Sequence, residues 1–281
     1  MKSKRLLPPI DWLQERAKEI SAEKDERVVE AGLRTILEYY EPLNYNLTYE
    51  SGLWRARKCK DETGFDLFSE MHYPPIHLTG TGRANDEASP LLCVSFTQLT
   101  ALREVCVKVG DRVQVIAYKL QREKPIRSFT LGEFATVHLR GHGNLPGGAG
   151  DLLNTILHKL KFEPGLSFIF LDAFLAALMK GEDEQANGYV HSRVLARIIF
   201  ERYPAIEAIH YPSVARNGAM NLAVRPNIAD AGLSFLGTSV LSISNVFDYG
   251  LCRFSELKSA TQLASGGRFM WSAANNSLQR P

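Results

Sequence analysis

The chain has 281 residues, 45% hydrophobic and 23% charged, and 33 Lys and Arg against 31 Asp and Glu leave a formal net charge of +2. That balance excludes a general polyanion binder, which carries a basic surplus, and the apolar fraction excludes a disordered chain. The length allows one large domain or two small ones, with a core that needs no staples.

Lys2, Lys4 and Arg5 open the chain, but Pro8, Pro9 and Asp11 stand where a signal peptide needs an apolar run, so no secretory signal is expected. Residues 1–50 read as a helical extension. Asp11 is a candidate N-cap for a helix with Leu13, Ala17 and Ile20 on one side, and Val29, Leu33, Ile36, Leu37 and Tyr40 continue the spacing until Pro42 and Asn44. Residues 51–281 read as the main domain. Gly52, Gly64, Pro74, Pro75, Gly80 and Gly82 punctuate its start. Leu91–Phe96 predicts a buried strand, Leu99, Leu102 and Cys106 a helix, and Arg112–Leu120 a strand covered on both faces.

Further on, Gly147, Gly148 and Gly150 offer backbone N–H groups to an anion, but Asp151 repels one, so a plain turn capped by Asp151 is expected. Leu153, Ile156, Leu157 and Leu160 form the stripe of the helix behind it. Glu163-Pro164-Gly165 predicts a turn. Leu166–Met179, the longest apolar run, falls short of the roughly 18 residues of a membrane span and contains Asp172, so a buried helix stopped by Gly181 is expected. Ser192–Tyr203 predicts a helix, and Ala208–Tyr211, Met220–Val224, Val240–Ile243 and Asn245–Tyr249 predict strands. Strands and helices without strict alternation give an α+β fold. Cys59, Cys93, Cys106 and Cys252 have no C-x-x-C spacing, which fits reduced thiols and a cytoplasmic location.

No G-x-S-x-G, G-x-x-x-x-G-K-[ST] or H-E-x-x-H motif occurs. His138 and His142 have i, i+4 spacing, but Gly141 and Gly143 argue against a helix through them, and no metal site is expected. The informative pattern is distributed. Leu53-Trp54-Arg55-Ala56-Arg57 sets two guanidinium groups on one face of a strand. Gly80-Thr81-Gly82-Arg83-Ala84-Asn85 follows, then Glu104 on a helix, then Tyr211-Pro212-Ser213 closing a strand, with Asn217-Gly218 and Asn221-Leu222 beyond.

From about residue 51 to about residue 271 this series resembles the RES domain family, named for Arg, Glu and Ser. The pieces that match are LWRAR, MHYPP…GTGRAN, TALREV, YPSVARNGAMNL and FSELKSAT…FMW. The resemblance implies an ADP-ribosyltransferase-like fold of mixed and antiparallel sheets with surrounding helices. It also implies a toxin-like enzyme that cleaves NAD⁺ with water or phosphate as acceptor, or that ADP-ribosylates a protein, and a cognate antitoxin as partner. A non-catalytic NAD- or partner-binding module is the third reading. NAD⁺ is then substrate, and no other cofactor, membrane or direct nucleic-acid contact is implied. By motif, Arg55, Glu104 and Ser213 are the catalytic candidates. Arg55, Arg83, Arg57, Asn85 and Tyr211 are the NAD⁺-binding ones. Leu92-Cys93 stands where the family often has a Tyr, the stretch Leu222–Arg225 lacks a usual aromatic, and His72 and His77 are outside the family pattern. Tyr73 is a packing residue or a stacking one.

These residue types suit the chemistry. Arginine forks onto pyrophosphate oxygens better than lysine does. Cleaving the nicotinamide–ribose bond passes through an oxocarbenium-like cation, and the departing nicotinamide needs no general acid, so one carboxylate suffices. Glu104 is the candidate for it, and the Ser213 hydroxyl can set the reactive conformer.

Overall fold

A computed structural model describes residues 6–40, 43–145, 149–181 and 187–273. Lys2, Lys4, Arg5, Pro42, Gly147 and Gly148 lie outside the described residues. In chain order the elements are α1 (Ile10–Ala22), α2 (Glu26–Leu37), β1 (Leu43–Leu47), β2 (Leu53–Lys58), α3 (Phe68–Met71), β3 (Leu92–Ser95), α4 (Gln98–Glu104), β4 (Arg112–Leu120) and β5 (Ile126–Thr130). They continue with α5 (Glu133–Arg140), α6 (Ala149–Lys159), α7 (Phe162–Leu178), α8 (Val190–Arg202), β6 (Ala208–Pro212), β7 (Met220–Val224), α9 (Pro226–Gly232), β8 (Leu233–Val246), β9 (Cys252–Ala260) and β10 (Ser272–Ala273). The fold is α+β, with two helices before the first strand. The chain divides into two compact units, one of residues 1–45, 80–89 and 127–212, the other of residues 46–79, 90–126 and 213–281.

The first unit is mainly helical. Helix α1 buries Leu13, Ala17 and Ile20, and α2 buries Val29, Leu33, Ile36 and Leu37, each on one 3.6-residue stripe. Helix α1 packs on α7, and α2 on α8. Asp11 does not cap α1. Pro9, at φ −57° and ψ 148°, holds the N-cap position, and Asp11 sits inside the first turn where a negative charge suits the dipole. The cap bonds appear at α2, where the Asp25 carboxylate accepts from Arg27 N (2.9 Å) and Val28 N (3.2 Å). Asn44 belongs to β1 rather than to a helix stop, because α2 ends at Leu37. Arg197 of α8 bonds Glu26 (2.9 Å), Glu30 (2.9 Å) and Asp86 (3.0 Å), and Arg193 bonds Glu26 and Asp86. Together they tie α2 and the 80–89 loop to α8.

Three helix boundaries differ from expectation for local reasons. Glu163-Pro164-Gly165 is the first turn of α7 and not a separate turn, since a proline there removes an N–H that the helix leaves unpaired anyway. Helix α7 stops at Leu178, before Gly181. Asp151 lies inside the first turn of α6, whose expected stripe is only partly buried. Leu153 is covered, while Ile156 and Leu160 stay exposed. Gly141, at φ 75°, closes α5 in the left-handed region and separates His138 from His142.

Strands β5 and β6 pair in parallel in this unit, with Thr130 opposite His210. His210 is 2% exposed, and burial pushes its imidazole pKa down to about 3. The unfolded chain therefore takes up a proton below about pH 6.5 that the folded one refuses, and stability falls with pH through that window. Between about pH 7 and about pH 5 this single group costs about 2 kcal/mol. Urea unfolding at both pH values is expected to show that extra loss in the parent chain and not in His210→Gln. Equal pH dependence in the two would remove His210 from the account.

The second unit is built on antiparallel strands in the order β7-β3-β2-β4-β8-β9-β10. Strand β4 runs over the residues the alternation indicated and is buried on both faces except at Arg112 and Lys119. Strand β8 replaces the two short strands expected at 240–249. It is continuous over 14 residues, with register shifts at Val240/Leu241 and Ile243/Asn245 in its ladder with β9. Ala56, Ala101, Leu102, Val113, Val115, Leu241 and Ile243 form a core in which α4 lies on the strands.

Candidate active site

The second unit gathers four polar side chains at the C-terminal end of α4. Thr97 caps the helix by accepting from Thr100 N (3.1 Å). Ala101 and Leu102 bury their side chains against Ala56 and Val115. Glu104 follows Ala101 by three residues, which turns it to the same side. Its Oε1 accepts from Ser213 Oγ (2.5 Å) and from Asn221 Nδ2 (2.7 Å). Ser95 Oγ donates to Asn221 Oδ1 (2.6 Å), and Ser95 and Asn221 stand directly opposite each other in the β3–β7 ladder. Ser213 is fully buried, Ser95 is 3% exposed and Asn221 4% exposed, whereas Glu104 is half-buried.

The loop that carries Ser213 is closed by its own backbone. Ser213 N donates to Ala219 O (2.8 Å), and Ser213 Oγ accepts from Arg216 N (3.2 Å). The hydroxyl thus accepts from the loop and donates its proton to Glu104. Both bonds to Glu104 fall on Oε1, so Oε2 faces neither donor.

Arg55 and Arg57 alternate along β2, on the face opposite Trp54 and Ala56. Trp54 is the ladder partner of Ser95, and Ala56 packs on the α4 core. Strand alternation therefore places Arg55 and Glu104 on opposite faces of β2. Arg55 Nη1 donates to Cys93 O (3.1 Å). Its Nε is buried without an acceptor, and no carboxylate pairs with it among the described residues. Arg57 is committed locally, donating to Glu70 O and lying 4.5 Å over the Phe65 ring. Burial, and then the like charge of Arg55, lower its guanidinium pKa. On the Arg55 face stand Tyr118, whose phenol burial pushes upward, and His72, whose imidazole burial pushes downward against Asp230 (3.3 Å). Tyr73 donates to Asp230 (2.8 Å).

The other candidates belong to the first unit. Arg83 Nη1 donates to Met179 O (3.0 Å) and Gly181 O (3.3 Å), beyond the end of α7, and its guanidinium lies 5.3 Å from the Tyr189 ring. Asn85 Nδ2 donates to Gly80 O (2.9 Å) and Asp86 O (3.0 Å), so this amide closes the Gly80–Asp86 loop. A Cβ on Gly82 would stand 2.6 Å from Asn85 Oδ1, which is why the loop takes glycine there. Tyr211 is 4% exposed within β6.

Glu104 and Ser213, the expected candidates, are brought together. Asn221, named in the sequence pattern without a role, joins them, and Ser95 is not singled out by that pattern at all. Their signal was available, since each is an uncharged polar residue in an otherwise apolar strand, Leu92-Cys93-Val94-Ser95 and Met220-Asn221-Leu222-Ala223-Val224. Among the described residues no three His, Cys, Asp or Glu side chains are grouped to hold a metal ion, and no helix is long and apolar enough to cross a membrane. None of the four cysteines is in a disulfide. The RES domain family model matches residues 52–236 of the chain. No curated protein matches it.

Proposed function

We infer that this chain, which belongs to the RES domain family, consumes NAD⁺ by cleaving its nicotinamide–ribose bond with water or phosphate as acceptor. Membership supports an NAD⁺-related, toxin-like or ADP-ribosyltransferase-like role at the level of the family. The reaction itself is argued from one observation, a half-buried carboxylate whose Oε1 is held by two donors and whose Oε2 faces neither.

In this reading the bond to nicotinamide breaks with its electron pair leaving on the ring nitrogen, which becomes neutral. The ribosyl group becomes an oxocarbenium-like cation, and Glu104 stabilises it. Water then adds to the anomeric carbon and releases a proton, giving ADP-ribose, or phosphate adds and gives its 1-phosphate. Ser213 holds the carboxylate plane from one side, which limits the orientations the ribose meets. Arg55 is proposed for the pyrophosphate. A guanidinium with a buried, unaccepted Nε and no carboxylate partner among the described residues is a cation suited to an anionic ligand. Arg55 lies on the opposite face of β2 from Glu104, so its role rests on the motif and on this unaccepted Nε, not on proximity to the carboxylate. The pyrophosphate role of Arg83 rests on its motif, because its hydrogen bonds serve the chain beyond α7.

The test is incubation of the purified chain with NAD⁺, with and without phosphate, followed by chromatography of the products. Free nicotinamide is expected, with ADP-ribose or its 1-phosphate naming the acceptor. No nicotinamide release sinks the reading. NAD⁺ binding by calorimetry without release would identify a binding module, and stable adducts on lysate proteins would identify a protein ADP-ribosyltransferase.

A further inference from the structure

We propose that Asn221 is the positioning residue of Glu104, its side-chain amide locked in the donating orientation by Ser95. The proposal deepens the reading of Glu104 as the carboxylate that stabilises the ribosyl cation, and it names two residues that reading does not use.

The geometry carries it. A buried amide is free to present either its oxygen or its nitrogen, and only the nitrogen suits a carboxylate. The β3–β7 register sets Ser95 opposite Asn221, and the Ser95 hydroxyl donates to Asn221 Oδ1 (2.6 Å). With the oxygen engaged, Nδ2 is the atom left for Glu104 Oε1 (2.7 Å). At 3% and 4% exposure, Ser95 and Asn221 exchange partners with water poorly, so the lock persists in solution. Ser213 takes the second position on Oε1, which leaves both lone pairs of Oε2 clear of the two donors. The chain therefore specifies more than a carboxylate. It specifies which oxygen of that carboxylate meets the substrate, through a hydrogen-bond chain in which Ser95 donates to Asn221 and Asn221 donates to Glu104.

Two measurements test this, one of them independent of turnover. The first follows the glutamate side-chain carboxyl carbons by ¹³C NMR across pH, with the Glu104 signal assigned by its loss in Glu104→Gln. Asn221→Asp replaces the donor with a second acid of the same shape. The Glu104 midpoint is expected to move to higher pH by about one unit or more, because two carboxylates in contact resist joint ionisation. Ser95→Ala, which leaves Asn221 in place without its lock, is expected to move it in the same direction by less. The second measurement is the pH profile of nicotinamide release. The acid limb in Asn221→Asp should rise in parallel with the NMR midpoint. In Asn221→Ala, kcat should fall by at least about tenfold with KM for NAD⁺ little changed. Thermal melts check that each variant folds, and Ser95→Ala carries the test if the Asn221 variants do not. A Glu104 midpoint that stays in place in the folded variants overturns the proposal. If the parent chain releases no nicotinamide, the functional reading fails and the NMR titration alone decides the positioning.

Discussion

Glu104→Gln is expected to lower nicotinamide release by at least about two orders of magnitude. The side chain keeps its length, and the amide oxygen of the variant can still accept from Ser213 and Asn221, the two donors that hold Glu104. What disappears is the negative charge that the proposed reaction sets against the ribosyl cation. A preorganised charge in a partly buried site is worth about 3 kcal/mol in the transition state, which converts to roughly a hundredfold in rate. The loss should appear in kcat with KM for NAD⁺ nearly unchanged, since the carboxylate acts on charge that develops only as the bond breaks. Ser213→Ala is expected to be milder. It removes one of two bonds to Oε1 and leaves the charge in place. Steady-state rates of both variants, measured on chains whose melts match the parent, decide the matter. Turnover in Glu104→Gln equal to that of the parent would remove Glu104 from the chemistry.

The contrast between Glu104 and Arg55 shows what a linear sequence can hold. That Arg55 and Arg57 share a face follows from the two-residue period of a strand and is observed. Which face Glu104 occupies depends on how α4 lies against β2, and α4 is placed by Ala101 and Leu102 meeting Ala56 of β2 and Val113 and Val115 of β4. Nothing local to LWRAR or TALREV states that choice. The role of Asn221, a residue the pattern does name, was hidden for the same reason. Its partner Ser95 lies 126 residues away, and the register that joins them is set by the β3–β7 ladder. Strands β4 and β7 were legible nearly to the residue because they are apolar almost throughout, whereas Ser234, Gly237, Ser239 and Ser242 broke the pattern of β8 and obscured its length. The helix starts at Ile10 and Phe162 went unseen because proline stands at or just inside each, and proline inside a first turn reads locally like a stop.

Asp172→Ala is expected to cost about 4 kcal/mol of stability, the largest structural effect predicted for this chain. Asp172 is the charge that interrupts the apolar run of α7, and it is fully buried. Burial pushes its carboxyl pKa up, and three donors pull it back. Oδ1 accepts from Tyr40 OH (2.6 Å) and Gly132 N (3.0 Å), and Oδ2 accepts from Ala135 N (2.9 Å). Gly132 and Ala135 are the N-cap and third residue of α5, so a side chain from α7 satisfies the exposed donors that start α5. Gly132 itself stands at φ 79°, and a Cβ there would meet the Ala176 side chain at 2.7 Å, so the cap cannot be replaced by a residue that brings its own oxygen. Alanine in place of Asp172 leaves three buried donors unpaired at about 1–3 kcal/mol each, offset in part by the desolvation it relieves. Tyr40→Phe removes one donor with its ring stacking on Phe168 (5.6 Å) intact, and should cost about 1–2 kcal/mol alone. In the Asp172→Ala background the same change should cost nearly nothing, because Tyr40 has by then lost its acceptor. Urea unfolding of the four chains closes the cycle. Additive losses would show that Tyr40 and Asp172 stabilise the fold independently and that the buried carboxylate does not organise α5 through these bonds.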